Sequence, residues 1–262
     1  MKQIVITGST RGIGYGLADA FLRLGCSVTV SGRTQAAADA AVAKLAAAHP
    51  GAQIFGLACD VRRHEEVKAL WDAARARFGQ VDIWINNAGF SGTQMPTWRV
   101  PPAQAEAIIT TNLLGLIHGS RVAVEGMLAQ GSGAVYNMEG AGSNGHVHDG
   151  LTLYGTTKYA IRYFTDALAH ETRATPLIVG ALRPGMVITD MIMSQYEGRP
   201  AEWKRAKRIF NIIADRVEDV APWMAEQLLS NQKSGARISW MSRWRGLGRF
   251  MASPFRKRTV VE

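Results

Sequence analysis

Cysteine is nearly missing from this chain: two residues, Cys26 and Cys59, in 262. They lie far apart and in no metal-ligand spacing. That argues against a disulfide framework and a cysteine zinc site, and makes a reducing, cytoplasmic compartment the expectation. Long apolar runs are also missing. The sequence shows no stretch of about 18 apolar residues, so it predicts no membrane-spanning helix. The apolar run after Met1 is too short for a secretory signal and leads straight into Gly8, Gly12 and Gly14. Charged residues are only 19% against 47% apolar, a balance unlike that of a disordered or low-complexity chain. Acidic residues are scarce at one end. Residues 1–198 carry 16 basic and 15 acidic side chains, and residues 199–262 carry 14 and 6. The net charge of +9 therefore belongs to the C-terminal quarter, where an anionic partner, a membrane surface or a solvated tail are the open readings.

Short Val/Ile-rich runs at Gln3–Ile6, Ser27–Ser31, Gln53–Ala58, Val81–Ile85, Ala134–Asn137 and Leu177–Leu182 read as strands buried on both faces. Between them, Gly14–Leu24, Gln35–Ala48, Arg63–Phe78, Pro102–Gln130 and Gly155–Thr172 carry apolar residues at helical spacing. The alternation predicts an α/β fold, a Rossmann-type doubly wound parallel sheet. No internal repeat and no Gly/Ser/Pro-rich linker divides the chain, so residues 1–262 read as a single domain. After Thr189 the pattern changes. Residues 190–215 read as a helical excursion suited to a substrate lid, Val220–Leu229 as a helix, and residues 231–262 as a basic, aromatic extension.

The first turn is Thr7-Gly8-Ser9-Thr10-Arg11-Gly12-Ile13-Gly14, after a strand and at the start of a helix. A dinucleotide-binding loop requires that context. Gly8 permits the tight turn, Gly12 lets the backbone approach a pyrophosphate, and Gly14 lets helix and strand pack closely. The helix N-terminus supplies amide donors and partial positive charge for phosphates. The second strand ends in Ser31-Gly32-Arg33-Thr34, without the carboxylate that would bind a ribose 2′-hydroxyl. Arg33, with Arg11, suits a 2′-phosphate and points to NADPH/NADP+, unless Arg33 is only a solvated surface residue. Tyr154 and Lys158 stand one helical turn apart, so their heads converge. An ammonium beside a phenol favours phenolate and brings tyrosine toward acid–base work at neutral pH.

With these motifs the sequence resembles the short-chain dehydrogenase/reductase family. Asp60-Val61 matches its adenine-side dipeptide and Asn86-Asn87-Ala88-Gly89 its N-N-A-G segment. Asn112 matches its helix asparagine, Tyr154-Gly155-Thr156-Thr157-Lys158 its Y-x-x-x-K, and Pro184-Gly185-Met186-Val187-Ile188-Thr189 its P-G-x-x-x-T. The resemblance implies cofactor contacts from Gly8, Ser9, Thr10, Arg11, Gly12, Ile13, Gly14, Arg33, Asp60, Val61, Asn87, Ala88, Gly89, Tyr154, Lys158, Pro184, Gly185, Val187 and Thr189. It makes Asn112, Tyr154 and Lys158 catalytic. Lys158 would hold the nicotinamide ribose, and Asn112 a water linking Lys158 to solvent, unless Asn112 merely satisfies the core. A homodimer or homotetramer is expected.

One departure narrows the substrate. Most family members carry a serine pair shortly after the fifth strand, where this chain has Glu139 and Gly140. Negative charge develops on a carbonyl oxygen during hydride addition, so a donor is needed there. Ser143 is the nearest replacement; a plain loop serine, or a site using Tyr154 alone, are the alternatives. Asn137–Ser143 (N-M-E-G-A-G-S), Tyr154–Lys158 and Pro184–Asp190 together resemble the chlorophyll b reductase branch. That resemblance implies NADPH-dependent reduction of a formyl group on a chlorophyll derivative. Reduction of another bulky apolar aldehyde or ketone, or an NADP(H)-binding sensor with little catalysis, are the competing functions. Without the transit segments and membrane spans of eukaryotic members, the chain looks like a compact bacterial-type relative.

Glu139 has two readings: an extra acid at the site, or a partner of Arg183 or cap of a turn. His146, His148 and Asp149 read as an entrance loop more than as a metal site, and no metal is expected. In the tail, Trp240, Trp244, Leu247 and Met251 fall at helical spacing among arginines. Core or subunit packing, a substrate lid, and peripheral membrane contact remain open. Nucleic acid is a poor fit, because no recognition motif accompanies the charge.

Overall fold

Alternate residues of each strand face opposite layers, so one run of Val and Ile can feed two cores. In β1 (Gln3–Ile6), Ile4 and Ile6 pack with Leu17, Phe21, Val28 and Met224, while Val5 packs with Val67, Trp71, Trp84 and Val135. The computed structural model describes residues 1–196, 198–242, 246, 248, 249, 251 and 258–261. The remaining strands are β2 (Ser27–Gly32), β3 (Ile54–Ala58), β4 (Ile83–Asn86), β5 (Gly133–Met138), β6 (Leu177–Arg183) and β7 (Arg237–Ser239). They form one parallel sheet in the order β3-β2-β1-β4-β5-β6-β7. Strand order reverses between β1 and β4, and such a switch point opens a crevice at the carboxyl ends of the strands.

Helices α1 (Gly12–Arg23), α2 (Gln35–Ala48), α3 (His64–Phe78), α4 (Pro102–Ile109), α5 (Gly115–Gln130) and α6 (Thr152–Glu171) cover the two faces. They are followed by α7 (Asp190–Met193), α8 (Pro200–Ile213) and α9 (Val217–Ser230). The expected excursion is thus α7, a short 3₁₀ turn at Ser194–Tyr196, and α8. Between α4 and α5 the chain widens into a π-turn at Thr110–Leu114, with Asn112 fully buried in it. Contrary to the sequence expectation, the continuous helical stretch Pro102–Gln130 is long and apolar enough to cross a bilayer by length and composition. Here 44% of its apolar window is buried, and α5 packs on α3 and β5.

Two features escaped the sequence reading. The three-residue β7 pairs with β6 (Ala181↔Arg237, Arg183↔Ser239) without any apolar run to announce it. Beneath the crevice, a buried polar chain ties four elements together. Trp84 Nε1 donates to Asn86 Oδ1 at 2.8 Å, Asn86 Nδ2 to Asn137 Oδ1 at 2.8 Å and Ser120 Oγ at 2.9 Å, and Asn137 Nδ2 to Thr165 Oγ1 at 3.0 Å. Satisfied networks of this kind fix one arrangement of the surrounding layers.

Trp240 does not lie on a tail helix as its spacing suggested. It follows β7 directly, meets Trp223 edge-on at 5.4 Å, and donates from Nε1 to Asp215 at 2.7 Å. Asp215 also receives Arg249 (2.7 and 2.8 Å) and Arg258 (2.9 Å). Asn211 holds the backbone of Val260 and Val261, and Val261 packs with Phe210 and Ala214. The described part of the tail is therefore core packing over α8. Arg243, Trp244, Arg245, Leu247, Phe250, Phe255, Arg256 and Lys257 lie outside the described residues.

Candidate active site

The glycine loop turns where β1 meets α1, and backbone approach explains its composition. Gly8 has φ +63° and Gly12 φ +59°, a region that L side chains rarely adopt. A Cβ on Gly14 would lie 2.4 Å from Asn87 Nδ2 and 2.7 Å from the Gly8 carbonyl. Asn87 braces the loop from β4: its Nδ2 donates to the carbonyls of Thr7 and Gly8, both at 2.9 Å. The backbone N–H groups of Asn87 and Ala88 both donate to Thr7 Oγ1. Ser9 differs from expectation. Its hydroxyl points into the fold, donating to the Ile6 carbonyl (2.7 Å) and accepting from the Ser31 amide (2.9 Å), so it fastens β1 to β2. Ile13 packs against the core, and the Thr10 methyl covers Gly32.

Of the other residues expected to contact a cofactor, Arg11 and Arg33 are exposed and make no ion pair among the described residues. Asp60 is held by Arg62, Nε at 2.9 Å and Nη2 at 2.5 Å, and that hydrogen bond keeps its carboxyl below the usual range. Val61 packs against Gly115, and its carbonyl lies 3.1 Å from His118 Nδ1. Gly89 lies beside Asn112 Oδ1 and Lys158 Nζ. After β6, Pro184 leads into Gly185, which faces Met241, while Val187 bridges to Asp215 and Thr189 starts α7 within 3.5 Å of the Cβ position of Gly12.

These surroundings fit a dinucleotide. The N-terminus of α1 has no side-chain cap and no acidic residue in its first turn, so its amide donors stay free. Beside Arg11 and the α7 segment residues Asp190, Met191, Met193 and Ser194 lies a cavity of about 320 Å³. Phosphates there would be met by backbone N–H groups and a guanidinium.

Tyr154 and Lys158 project from α6 toward the end of β5. Lys158 Nζ donates to the Met138 carbonyl at 2.9 Å and lies 5.6 Å from the centre of the Tyr154 ring. The electrostatics reverse the sequence expectation. Burial pushes the Tyr154 phenol up to about 12, so at neutral pH it holds its proton. Burial also pulls Lys158 down to about 8, opposed by the Glu139 carboxylate. Asn112 braces the segment after β4: Oδ1 accepts from the Phe90 amide at 2.7 Å, and Nδ2 donates to the Phe90 carbonyl (2.9 Å) and Thr157 Oγ1 (3.1 Å).

Ser143 is buried at 4% exposure on the turn that closes from Gly140 O to Ser143 N at 3.1 Å. Its hydroxyl makes no hydrogen bond to Tyr154 among the described residues. Glu139 is no free acid. Its side chain is fully buried, ion-paired with Arg183 and with Arg237 Nε at 2.8 Å, and Arg237 continues to Asp166 at 2.6 Å. The Arg183 pairing was one of the sequence readings; Arg237 arrives on β7 and had no sequence signal. His146 and His148 meet edge-on at 5.7 Å on an exposed loop. Among the described residues no three His, Cys, Asp or Glu side chains converge. Next to Tyr154 lies a second cavity, of about 10 Å³, bordered by Ser91, Thr93, Gln104, Leu151 and Thr152.

The profile of the short chain dehydrogenase family matches residues 2–200. This chain belongs to the short-chain dehydrogenase family. Chlorophyll(ide) b reductase NOL, chloroplastic, of Oryza sativa subsp. japonica is 36% identical over 231 residues, which cover 86% of this chain and 66% of that protein. The chain thus spans slightly less than two thirds of that relative. Among solved structures, a variant of actinorhodin polyketide ketoreductase with NADPH superposes with a TM-score of 0.83 at 26% identity, covering 93% of this chain and 97% of that one. The 3-ketoacyl-(acyl-carrier-protein) reductase of Brucella melitensis complexed with NADH gives 0.79 at 26%, covering 91% and 96%. Both of those solved structures are named as reductases with a nicotinamide dinucleotide bound.

Proposed function

We propose that the protein is an NADPH-dependent reductase that converts the formyl group of chlorophyll b or chlorophyllide b to hydroxymethyl. The observation that carries this reading is the Asn137–Ser143 segment beside Tyr154, with Glu139 and Gly140 in place of a serine pair, in a chain 36% identical to a chlorophyll(ide) b reductase. NADPH is favoured over NADH because the exposed Arg33, without a carboxylate at the end of β2, can meet a 2′-phosphate, with Arg11 nearby in the loop.

When bound, the nicotinamide supplies the hydride. This chain's residues do the rest. Tyr154, protonated at neutral pH, donates its phenolic proton to the substrate oxygen as negative charge develops there. The Lys158 ammonium stabilises the phenolate left behind, and the Met138 carbonyl holds that ammonium in place. Ser143, buried on the Gly140–Ser143 turn, is assigned as the second donor to the oxygen.

A macrocycle is far larger than the 10 Å³ space beside Tyr154. Its ring must therefore lie outside that space, between the segment following β4 and the lid, with only the formyl group inserted. Gln195 on the lid reaches Ser91 Oγ at 3.0 Å, a contact such a substrate would break. The second reading is reduction of another aldehyde or ketone at the same site.

Incubation of the pure protein with NADPH and chlorophyllide b, with products separated by chromatography and identified by mass, tests the reading. A product two mass units heavier with matching NADPH loss is expected. NADPH loss with a small aldehyde and none with chlorophyllide b would replace it by the second reading.

A further inference from the structure

Residue 140 lies at the carboxyl end of β5, one residue after the end of the strand's ion-paired neighbour Glu139. A Cβ built on Gly140 would stand 2.6 Å from Tyr154 Oη. The next atoms it meets are Cε and Cδ of Lys158, at 3.3 and 3.4 Å. The phenolic oxygen thus occupies the space that any side chain at 140 would need. Two residues on, Gly142 makes a second close approach: its Cβ position lies 2.6 Å from Gly155 Cα, the residue after Tyr154. The turn that carries Ser143 is therefore seated directly on the catalytic face of α6, backbone against helix at one glycine and backbone against phenol at the other.

We propose that Gly140 is a positioning residue for Tyr154: the missing side chain lets the phenol sit against the end of β5, and any side chain there expels it. This rests on Tyr154 being the proton donor, and does not depend on which carbonyl compound is reduced. It has a specific consequence. A hydroxyl-bearing side chain at 140 and the present Tyr154 position exclude each other, so adding a serine there removes activity although it adds a donor. Glu139 limits escape by backbone movement, because its two arginine pairs anchor the chain immediately before Gly140 to β6 and β7.

The decisive experiment is a cycle of Gly140→Ala and Tyr154→Phe read by thermal midpoint without substrate, alongside NADPH affinity by fluorescence. Removing Oη leaves the Lys158 stem, at 3.3 Å or more, as the nearest obstacle to the new methyl. Gly140→Ala should lower the midpoint by about 4–8 °C in the parent, in line with an overpacked site in a chain of this size, and by less than half of that in the Tyr154→Phe background. Equal losses in both backgrounds would overturn the proposal, as would insolubility of both. Insolubility of the single variant with recovery in the double variant would support it. In turnover, with whichever aldehyde the parent reduces, Gly140→Ala and Gly140→Ser should each lower kcat by about 10- to 100-fold, as expected for a displaced catalytic group, with NADPH affinity within about twofold. A Gly140→Ser protein as active as the parent would show that the phenol and a side chain coexist, and would overturn the assignment whether or not chlorophyllide b proves to be a substrate.

Discussion

Lys158→Met should make the protein more stable at neutral pH while removing its activity. The ammonium is 3% exposed, and burial brings it from its ordinary 10.5 to about 8. Between those two values the unfolded chain binds more protons than the folded one, so stability rises with pH across that window. The penalty is fully present below pH 8 and gone above pH 10.5. At about 1.4 kcal/mol per pH unit, it comes to about 3 kcal/mol at pH 7. Methionine matches the lysine stem and carries no charge, so it removes this penalty. It also removes the 2.9 Å bond to the Met138 carbonyl, which returns about 1–2 kcal/mol of cost. The net gain of about 1–2 kcal/mol corresponds to a rise of about 2–8 °C in Tm for a chain of this length. The assay is a series of cofactor-free thermal melts of parent and variant at pH 7, 8, 9 and 10. The gain should be largest at pH 7 and shrink steadily toward pH 10. A lower Tm for the variant at pH 7, or a difference independent of pH, would refute the reasoning, because it would mean that the buried group is not an ammonium held against its solvation.

Four further variants test the same geometry. Tyr154→Phe should keep NADPH affinity and lose about 10²–10⁴-fold in kcat, while Ser143→Ala should lose up to about 10²–10³-fold; a Ser143→Ala rate equal to the parent's would assign the second donor elsewhere. Arg33→Asp should erase or reverse the preference for NADPH over NADH in kcat/KM, and equal use of both cofactors by the parent would remove the basis of that assignment. Asp215→Asn should loosen the tail from the lid, because it leaves Arg249 and Arg258 without their buried partner; KM should rise for a bulky substrate more than for a small aldehyde, and limited proteolysis should cut between residues 240 and 262 sooner than in the parent. Those two arginines hold the Asp215 carboxyl below its usual range, although burial opposes them. The clamp is therefore present above the ordinary carboxylate value and is lost as pH falls below about 4.

The six principal strands were readable because a parallel sheet covered on both faces demands continuous apolar runs, and Val28, Val30, Ile83 and Val135 supply them. The seventh was not, because Arg237–Ser239 joins the sheet through its backbone and through the Arg237–Glu139 pair, which links positions nearly a hundred residues apart. The glycine loop and the Tyr154–Lys158 pair were readable because their residues are local in sequence. The partners of Asn112 and Ser9 and the second partner of Glu139 were not, since each comes from another element: Phe90 and Thr157, Ser31, and Arg237, whereas the Glu139–Arg183 pair was among the sequence readings. The balance between Lys158 and Tyr154 was misjudged for a related reason. Spacing shows that a charge is near, while burial, which here outweighs it, depends on the whole packed site.

The basic C-terminal quarter shows how far composition can carry a functional argument. Its excess of positive charge suggested a surface for an anionic partner, yet several of its arginines are used inside the fold. Arg237 serves Glu139 and Asp166, and Arg249 and Arg258 converge on Asp215, whose backbone is hydrogen-bonded to Met186 and Ile188 in the wall after β6. Arg199 pairs with Glu202 at the start of α8. Arg237, Arg249 and Arg258 cannot serve a membrane or a polyanion without giving up the buried carboxylates of Glu139 and Asp215, and breaking a buried pair costs more than an exposed pair returns. These three arginines of the described tail are therefore directed inward. Asp215 lies at the exit of the lid and beside the segment that carries Val187, so the arginines that reach it connect the C-terminus to the catalytic cleft. On this arrangement the segment 186–188 and the end of α8 are held in place by Arg249 and Arg258.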